Sequence, residues 1–259
     1  MLWLEGIVCN RHDSPVLDGV TLGVSGGELI VIQGSTASGK STLLEIAATV
    51  RPPDRGAVWF AGRNTATLQK ASLPYVRRNI GYYSASSILV EEDTACANVL
   101  AALAVRGEPL DVAERCALDA LTLVGAQEVA DRRVDALSSG QQRLIALARA
   151  LAGPPPLVIA DEPGALLSDE ARTIVVAALA AVRDQGAAVL TATADTGWAA
   201  ALVAAGGRRI HLADGKIAGA PAVELVPPLS VDDIQQPLTS IEEDGTEVTI
   251  LPPASKGPR

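Results

Sequence analysis

A stretch of nine residues, GSTASGKST at positions 34–42, has the composition of a phosphate-binding loop. It matches the pattern G-x-x-x-x-G-K-[ST], in which glycines let successive backbone N–H groups point at an anion and the lysine supplies a positive charge. The serine after the lysine supplies a hydroxyl that can ligate the Mg²⁺ of a bound nucleotide. We therefore expect a nucleotide's phosphates to be held by Gly34, Ser35, Thr36, Ala37, Ser38, Gly39, Lys40, Ser41 and Thr42.

Two carboxylates follow the apolar segment LVIADEP and form a second candidate for chemistry. With Ser41, Asp161 is placed to hold Mg²⁺, directly or through water, and Glu162 is placed to polarise an attacking water molecule. The alternative is an ordinary strand end that carries two acidic residues. Because a phosphate-binding loop lies upstream, we favour the functional interpretation, with Asp161 as a metal-binding residue and Glu162 as the catalytic residue.

Both motifs adjoin segments with the pattern of buried strands. ELIVIQ precedes the phosphate loop, and GKSTLLEIAATV continues it with helical periodicity. PLVIAD and AAVLTATA are nearly continuous apolar runs, the pattern of parallel strands covered on both faces, and the segment between them is helical. Residues 92–152 are mostly of helical period. The sequence therefore predicts an α/β core with a helical middle region.

Composition and charge disfavour several functional classes. No apolar run reaches the roughly 18 to 20 residues of a membrane span, and the N-terminus lacks the pattern of a secretory signal, so we expect a cytoplasmic protein. The net charge of −9 and the pI near 4.8 disfavour nucleic acid as a partner. The scattered Cys9, Cys96 and Cys116 are expected to be buried thiols. We interpret three arginine pairs as solvated surface charge: Arg77 and Arg78, Arg132 and Arg133, and Arg208 and Arg209.

The sequence changes character from about Pro221, where Pro, Ser, Thr and acidic residues dominate. A segment of this composition buries too little apolar surface to offset the entropy of ordering it. We therefore divide the chain into a nucleotide-binding domain at residues 1–220 and a flexible tail at residues 221–259. Within the tail, TEVTIL is a candidate for a strand that forms on binding.

Between the two motifs lies LSSGQQRLIALARAL, residues 137–151, which resembles the signature of the ATP-binding cassette (ABC) ATPases. In that family the signature usually reads LSGGQ and is followed by a helix containing Q-R and A-R-A-L. The phosphate loop, the signature and the ADEP segment appear in the family's order, and the resemblance covers about residues 2–218. It implies a P-loop NTPase core, a mixed sheet flanked by helices, with an N-terminal antiparallel β subdomain and an inserted α-helical subdomain at about residues 86–150.

The resemblance also implies a domain that works as a dimer. Each ATP, with its Mg²⁺, would lie between the phosphate loop of one chain and the signature of the other. On this basis Ser138, Gly140 and Gln141 are predicted to contact the γ-phosphate of the ATP bound by the second subunit, through backbone N–H groups at a helix N-terminus. Ser139 replaces the family's second glycine, which is a mild change in a helical backbone.

Two positions in the catalytic loops depart from the family pattern. The family's lid-loop glutamine should follow RRNIGYY by about two residues, where this chain has Ala85. The family's switch histidine should follow the last core strand, where TATAD gives Ala194. Loss of one preorganised transition-state contact commonly costs on the order of 10² to 10³ in rate. We therefore expect the chain to bind Mg-ATP and to hydrolyse it slowly.

Two further departures concern the D-loop and the adenine contact. The D-loop, ALLSD, has Ser168 at the family's aspartate position, unless Asp169 substitutes for it by a shift of one. The family's aromatic residue that stacks on adenine should precede PVLDGV, where NRHDSP offers Arg11 or His12. Either side chain can stack on a base, and we assign Arg11 to the nucleotide site.

The segments LPYVRRNIGYY, ACANVLAALAVRG and IADEPGALL resemble the cell-division, lipoprotein-release and macrolide-export members of the family. This resemblance implies an ATP-binding subunit that drives or gates a separately encoded membrane permease by ATP-dependent closure, peripheral at the inner face of the cell membrane. The permease is expected to contact residues near 82–100. Tyr82, Tyr83 and Ile88 are candidates for that contact, with core positions as an equal alternative.

The subunit arrangement has two alternatives at this stage. The chain forms a homodimer with two impaired sites, which the retained Glu162 favours, or it pairs with an intact cassette protein. The alternative function is a non-hydrolytic, ATP-bound scaffold or regulatory subunit of such a pair. Cassette proteins of repair or translation are disfavoured, since they carry tandem cassettes or long coiled-coil insertions.

Overall fold

The computed structural model describes residues 1–11, 14–68, 72–218, 238–241 and 247–250. The chain divides into two units, Met1–Ala220 and Pro221–Arg259. In the second unit, two short strands pair in antiparallel fashion, and the later one falls within the TEVTIL segment. The rest of the predicted flexible tail lies outside the described residues.

The secondary-structure elements of the described residues are numbered in chain order. The strands are β1 (Leu2–Arg11), β2 (Ser14–Val24), β3 (Leu29–Gln33), β4 (Arg55–Phe60), β5 (Arg63–Asn64), β6 (Ile80–Tyr83), β7 (Leu157–Asp161), β8 (Ala188–Thr193), β9 (Arg208–Ala213), β10 (Lys216–Ala218), β11 (Leu238–Ile241) and β12 (Glu247–Ile250). The α-helices are α1 (Lys40–Ala47), α2 (Leu73–Arg78), α3 (Ala95–Arg106), α4 (Leu110–Leu123), α5 (Ser139–Leu151), α6 (Asp169–Asp184) and α7 (Thr196–Ala204).

A six-stranded mixed sheet with the order β10-β9-β3-β8-β7-β6 forms the centre of the first unit. Strands β9, β3, β8, β7 and β6 run parallel, whereas β10 pairs antiparallel with β9. Every residue of β3, β7 and β8 is buried, which explains their nearly continuous apolar sequences. Ile30 and Ile32 join the apolar cluster of α1, whereas Leu29 and Val31 join that of α6 and α7. The predicted α/β core is confirmed.

A second, antiparallel sheet with the order β2-β1-β4-β5 is built from the N-terminal strands, as predicted. Its buried side chains, among them Leu4, Ile7 and Leu22, pack in the same cluster as Ile46 of α1. The pairing of β1 with β2 shifts register between Leu4 and Ile7, around Gly6, whose φ of 57° lies in the left-handed region that favours glycine. This sheet therefore covers the helix that begins at the phosphate loop.

Three helices, α3, α4 and α5, are inserted between β6 and β7. Thr94 begins α3 by accepting a 3.1 Å hydrogen bond from the Ala97 N–H, and Gly107 ends it with a φ of 87°. The buried Asn98 side chain donates to the Val90 carbonyl at 3.0 Å and accepts from the Val90 N–H at 2.8 Å. These bonds fix the connection between β6 and α3. An inserted set of helices is thus present, as the fold prediction states. The limits of a helical subdomain at about residues 86–150 stay a prediction.

The turn between β9 and β10 contains Asp214 and Gly215, whose φ values of 48° and 72° are positive, as in tight hairpin turns. The prediction of buried thiols has a mixed outcome. Cys9 is buried as expected, but Cys96 and Cys116 are only half-buried, so the prediction of buried thiols is wrong for these two. They lie on α3 and α4, at the margin of the helical cluster. Among the described helices, none is long and apolar enough to cross a membrane.

Candidate nucleotide-binding and catalytic site

Three neighbouring parallel strands end at the candidate site. Strand β3 ends at Gln33, which pairs with Thr193 at the end of β8, and Asp161 at the end of β7 pairs with Ala192. The segments singled out from the sequence lie at these strand ends: the phosphate loop after β3, the acidic pair with Asp161 ending β7 and Glu162 following it, and Ala194 directly after β8. Parallel strands present their carboxyl ends at the same edge of a sheet, so the register brings all three segments together.

Close packing explains both glycines of the phosphate loop. A Cβ on Gly39 would lie 2.7 Å from the Val16 carbonyl oxygen, and the φ of Gly39 is 99°, a value that L side chains rarely adopt. A Cβ on Gly34 would lie 2.3 Å from the Leu212 carbonyl oxygen. Since backbone atoms form both obstacles, neither position has room for a side chain. Glycine at both positions therefore lets the loop follow its tight path, the kind of path that turns backbone N–H groups toward an anion.

Lys40 is the first residue of α1, and its side chain folds back over the loop. Its Nζ donates hydrogen bonds of 2.9 Å to the carbonyls of Gly34 and Ser35, and the residue is 6% exposed. Nearby, the Ser38 hydroxyl is buried and has no hydrogen-bond partner among the described residues. A buried hydroxyl without a partner is costly unless a ligand satisfies it. The loop thus has a charged group and an unsatisfied polar group, both of which phosphate oxygens can engage.

Asp161 combines burial with a free acceptor atom. The residue is 9% exposed, and its Oδ1 has no hydrogen-bond partner within the described part of the chain. Burial raises the pKa of the Asp161 carboxyl, and the Ser41 hydroxyl and the Lys40 ammonium partly oppose that change. A carboxylate oxygen and a hydroxyl are the hard oxygen ligands that a divalent cation such as Mg²⁺ takes.

The Glu162 carboxylate is held from two sides by the end of β8. Its Oε2 accepts a 2.9 Å hydrogen bond from the Thr193 hydroxyl, and its Oε1 accepts one of 2.7 Å from the Ala194 N–H. The backbone N–H of Glu162 itself donates to the Ala192 carbonyl at 3.0 Å. The φ of Glu162 is 49°, in the left-handed region that residues other than glycine rarely adopt. The carboxylate is therefore fixed in direction at the edge of the sheet where the phosphate loop lies.

The signature segment forms the start of α5. Ser138 caps this helix by accepting from the Gln141 N–H at 3.3 Å, while the Gln141 Oε1 accepts from the Ser138 N–H at 3.0 Å. Ser139 is the first residue of the helix, and in a helical backbone serine is a mild replacement for the family's glycine. A Cβ on Gly140 would meet only Leu167, at 4.0 Å. The first turn of α5 is thus a well-ordered helix N-terminus, and its predicted contact with the ATP of a second subunit stays a prediction.

The departures from the family pattern lie in defined local structures. Ala85 is exposed and lies in a turn where the Ser84 N–H donates to the Ser87 hydroxyl at 3.0 Å. Ser168 caps α6 by accepting from the Ala171 N–H at 3.3 Å. A cap of this kind explains the serine at the D-loop position without a role in catalysis.

Two sequence predictions concern residues at the margin of the site. Arg11 is exposed at the end of β1, where its contact with adenine stays a prediction, and His12 lies outside the described residues. Tyr83 is fully buried, so of the two alternatives the core position holds for it, whereas Ile88 is 85% exposed. Tyr82 is half-buried and remains a candidate.

Arg172 joins two loops of the site, a connection that the sequence does not reveal. Its Nη1 donates to Oδ2 of Asp195 at 2.8 Å, and its Nε donates to the Gly164 carbonyl at 3.0 Å. Asp195 also caps α7 by accepting from the Trp198 N–H at 3.0 Å. This backbone hydrogen bond, followed by the one from Arg172, lowers the pKa of Asp195. The connection links the segment after Glu162 to the segment after Thr193.

Comparison with known proteins identifies the family. A family model described as ABC transporter matches residues 17–165. The chain is 32% identical to the lipoprotein-releasing system ATP-binding protein LolD of Bacteroides fragilis, over 84% of this chain and 100% of that protein. It is 31% identical to the cell division ATP-binding protein FtsE of Bacillus subtilis, over 68% of this chain and 78% of that protein. It is 32% identical to the macrolide export ATP-binding/permease protein MacB of Bartonella henselae, over 78% of this chain and 30% of that protein.

A solved structure has the same fold. The dimeric post-hydrolysis state of an ATP-binding cassette, bound to ADP and Pi, superposes with a TM-score of 0.76 at 28% identity, over 84% of this chain and 97% of that one. The resemblance to cell-division, lipoprotein-release and macrolide-export ATPases expected from the sequence is confirmed. The chain belongs to the ABC transporter family, as an ATP-binding ATPase subunit.

Proposed function

We propose that this subunit binds Mg-ATP at the interface of a dimer and drives or gates a separately encoded membrane permease by ATP-dependent closure. The observation that carries the proposal is the meeting of Lys40, Asp161 and Glu162 at one edge of the core sheet. Transfer of a phosphoryl group to water requires a cation for the phosphates, a ligand for the metal and a group that orients the water. The name of the macrolide-export relative, which includes a permease, supports a membrane partner.

The phosphate loop and Ser41 with Asp161 would hold Mg-ATP in this scheme. The unsatisfied Oδ1 of Asp161, near the Ser41 hydroxyl, fits a hard divalent cation. When bound, Mg²⁺ would neutralise part of the charge on the phosphates. Loop N–H groups and the Lys40 ammonium would engage the phosphate oxygens in place of the carbonyls that Lys40 now contacts.

Glu162 would orient the attacking water. Each of its carboxylate oxygens accepts one hydrogen bond from β8 or the residue after it, and each retains a lone pair that can accept a proton from water. The first turn of α5 from a second subunit, with Ser138, Gly140 and Gln141, would complete the site at the γ-phosphate, where a helix N-terminus favours negative charge. Closure around ATP would then exclude bulk water and bring the two subunits together.

Slow turnover follows from the two alanines of the catalytic loops. Ala85 and Ala194 have no side-chain group that can contact the metal, the water or the γ-phosphate, and the loss of one such contact costs on the order of 10² to 10³ in rate. The ATP-bound, closed form would therefore persist and work as a slow clamp on the permease. We place the subunit in the cytoplasm, at the inner face of the cell membrane, through that partner.

Binding and turnover measured side by side test the proposal. Calorimetry with Mg-ATP is expected to give binding for the protein and for Glu162→Gln, while Lys40→Ala binds at least about tenfold more weakly because a charge-assisted contact is lost. Phosphate release is expected to be slow for the protein and slower still for Glu162→Gln. Lys216→Ala, which removes an exposed ion pair with Asp18, is the control and should leave both quantities unchanged. Absence of Mg-ATP binding by the unaltered protein would refute the proposal.

A further inference from the structure

Arg172 of α6 completes a closed cycle of hydrogen bonds that includes the Glu162 carboxylate. Its Nη1 donates to Oδ2 of Asp195 at 2.8 Å, and the Asp195 N–H donates to the Thr193 hydroxyl at 3.0 Å. That hydroxyl donates in turn to Oε2 of Glu162. The cycle closes through the backbone after Glu162, because the Gly164 carbonyl accepts from Nε of the same arginine at 3.0 Å. One side chain therefore contacts both segments that meet at Glu162.

The loop that follows Glu162, residues 163–168, has little packing at its tip. Leu166 is 82% exposed, and its φ of 60° lies in the left-handed region that residues other than glycine rarely adopt. An exposed tip with few contacts contributes little to the order of a loop, so the order depends on contacts at the loop's base. At the base, the Ala165 N–H donates to the Glu162 carbonyl at 3.0 Å, and Arg172 holds the carbonyl between these two residues.

Close packing at Gly164 joins this base to the first turn of α7. A Cβ on Gly164 would lie 2.7 Å from Cε2 of the Trp198 indole, so the backbone of the loop lies directly against the indole ring. Trp198 is 4% exposed, and its N–H donates to Oδ1 of Asp195 at 3.0 Å. The loop and the start of α7 are thus packed together, and Arg172 is bonded to both.

Asp195 transmits the position of Arg172 to the end of β8. Both of its carboxylate oxygens are engaged, Oδ1 by the Trp198 N–H and Oδ2 by Arg172, which fixes the direction of the side chain. The preceding residue is Ala194, whose N–H donates to Oε1 of Glu162 at 2.7 Å. Since position 194 carries alanine where the family has histidine, only the backbone of this residue can orient the carboxylate. The placement of that backbone therefore matters more in this chain.

We propose that Arg172 is a positioning residue for ATP hydrolysis, which directs Glu162 toward the attacking water through Asp195 and the end of β8. This inference rests on the proposed function, which gives Glu162 its role. Displacement of a reacting group by about 1 Å can cost about 10²-fold in rate, so a side chain that only orients Glu162 can have a large effect. The alternative is that Arg172 only stabilises the fold. Its ion pair with Asp195 is partly exposed, with side chains 30% and 39% accessible, which makes that contribution small.

Arg172→Met tests the proposal against the same substitution elsewhere on α6. We expect phosphate release at saturating Mg-ATP to fall about tenfold, while calorimetry gives an unchanged affinity for Mg-ATP, because the phosphate loop keeps its contacts. Arg183→Met is the matched control. Arg183 lies at the opposite end of α6 and contacts a carboxylate and a carbonyl, those of Asp184 and Ala205, so its loss should leave both quantities unchanged.

Two further variants show whether the effect passes through Glu162. Arg172→Lys should recover only part of the turnover, because an ammonium group keeps the charge but lacks the planar fork that bonds Asp195 and Gly164 together. In a Thr193→Val background, which already lacks the hydroxyl contact to Glu162, Arg172→Met should lower phosphate release by a smaller factor than in the unaltered protein. An equal factor in both backgrounds would overturn the inference.

Hydrogen exchange of the nucleotide-free protein provides a measurement that is independent of turnover. In Arg172→Met the amides of residues 163–168 and 194–198 should exchange faster, whereas those of the phosphate loop should not change. Unchanged exchange in both segments, or a loss of turnover that Arg183→Met shares, would overturn the inference. Absence of Mg-ATP binding by the unaltered protein would instead refute the proposed function, and hydrogen exchange would still decide whether Arg172 orders the two segments.

Discussion

The Thr193 hydroxyl donates a 2.9 Å hydrogen bond to Oε2 of Glu162, across neighbouring strands of the core sheet. The same oxygen of Thr193 accepts a 3.0 Å hydrogen bond from the Asp195 N–H, and Thr193 is 1% exposed. The hydroxyl thus connects the backbone after β8 to the carboxylate proposed to orient water. A residue in this position can set the direction of Glu162 without touching the nucleotide.

Thr193→Val tests this relationship. Loss of the hydroxyl removes one of two hydrogen bonds that orient Glu162, so we expect phosphate release to fall about tenfold while the affinity for Mg-ATP is retained. The Asp195 N–H also loses its partner, which is expected to lower the free energy of unfolding by about 1 to 3 kcal/mol. Phosphate release, calorimetry and thermal unfolding measure the three quantities.

Thr193→Ser is the matched control, since it keeps the hydroxyl and removes one methyl group. It should retain most of the turnover that Thr193→Val loses. Equal loss of turnover in both variants would mean that packing around β8, and not the hydrogen bond to Glu162, determines the rate.

Asp161→Asn is expected to make the nucleotide-free protein more stable at neutral pH. Burial raises the pKa of the Asp161 carboxyl in the folded state, so the folded protein binds the proton more tightly than the unfolded chain does. The stability that Asp161 contributes is therefore fully present below the pKa that the residue has in the unfolded chain. It is lost as the pH rises through the higher pKa of the residue in the folded protein. The amide avoids this loss, and the advantage of Asp161→Asn in thermal midpoint should shrink as the pH falls toward that range.

The same variant separates stability from metal binding. With the carboxylate gone, we expect the dependence of ATP affinity on Mg²⁺ to decrease, because an amide oxygen is a weaker ligand for a hard cation. Asp119→Asn, at an exposed position of α4, controls for the change in charge. An unaltered Mg²⁺ dependence in Asp161→Asn would remove Asp161 from the proposed metal site.

The sequence predicts the parts of the site that depend on local pattern. The phosphate loop, Lys40 and the acidic pair after β7 follow from a motif and from continuous apolar strands, both of which are readable within short segments. The hydrogen bond between Glu162 and Thr193 joins positions 31 residues apart in sequence, and only the register of β7 against β8 brings them together. Backbone geometry that depends on such pairing leaves no signal in the residue types.

Two further features differ in this respect. Asp195 caps α7 and is followed by an apolar run, which is a local sequence signal for a helix. The groove between α2, β6, α3 and α5 has no such signal, because Arg106 and Arg149 come from α3 and α5 and line it together with Arg77 and Arg78 of α2 only in the folded chain.

Asp195→Ala is predicted to destabilise the fold more than Arg172→Met does. The aspartate caps α7 through the Trp198 N–H, and loss of such a cap costs typically about 1 kcal/mol. The ion pair with Arg172 is partly exposed, with side chains 30% and 39% accessible, so its own contribution is expected to be below about 1 kcal/mol. Denaturant unfolding of both variants and of the double variant measures the two effects and their coupling.

The pH dependence of the cap gives an independent check. Because hydrogen bonds from the Trp198 N–H and from Arg172 lower the pKa of Asp195, the stability that this carboxylate contributes is present above its unfolded pKa and is lost as the pH falls through the folded pKa. The difference between the unaltered protein and Asp195→Ala should therefore diminish in acid. A difference that stays constant across this range would indicate that the charge of Asp195 has no part in the cap.

Ala194→His combined with Ala85→Gln should raise the rate of ATP hydrolysis. Both alanines are exposed, so the larger side chains have room, and histidine retains the backbone N–H that donates to Glu162 at 2.7 Å. Each restored contact is worth on the order of 10² to 10³ where the rest of the site is preorganised. The two gains are not expected to multiply, because groups that act on one transition state are coupled. Phosphate release at saturating Mg-ATP measures the change, and Ala194→Leu with Ala85→Leu controls for side-chain size. If the restored pair binds Mg-ATP as before and yet turns over no faster than the leucine pair, the two alanines are not the cause of slow hydrolysis.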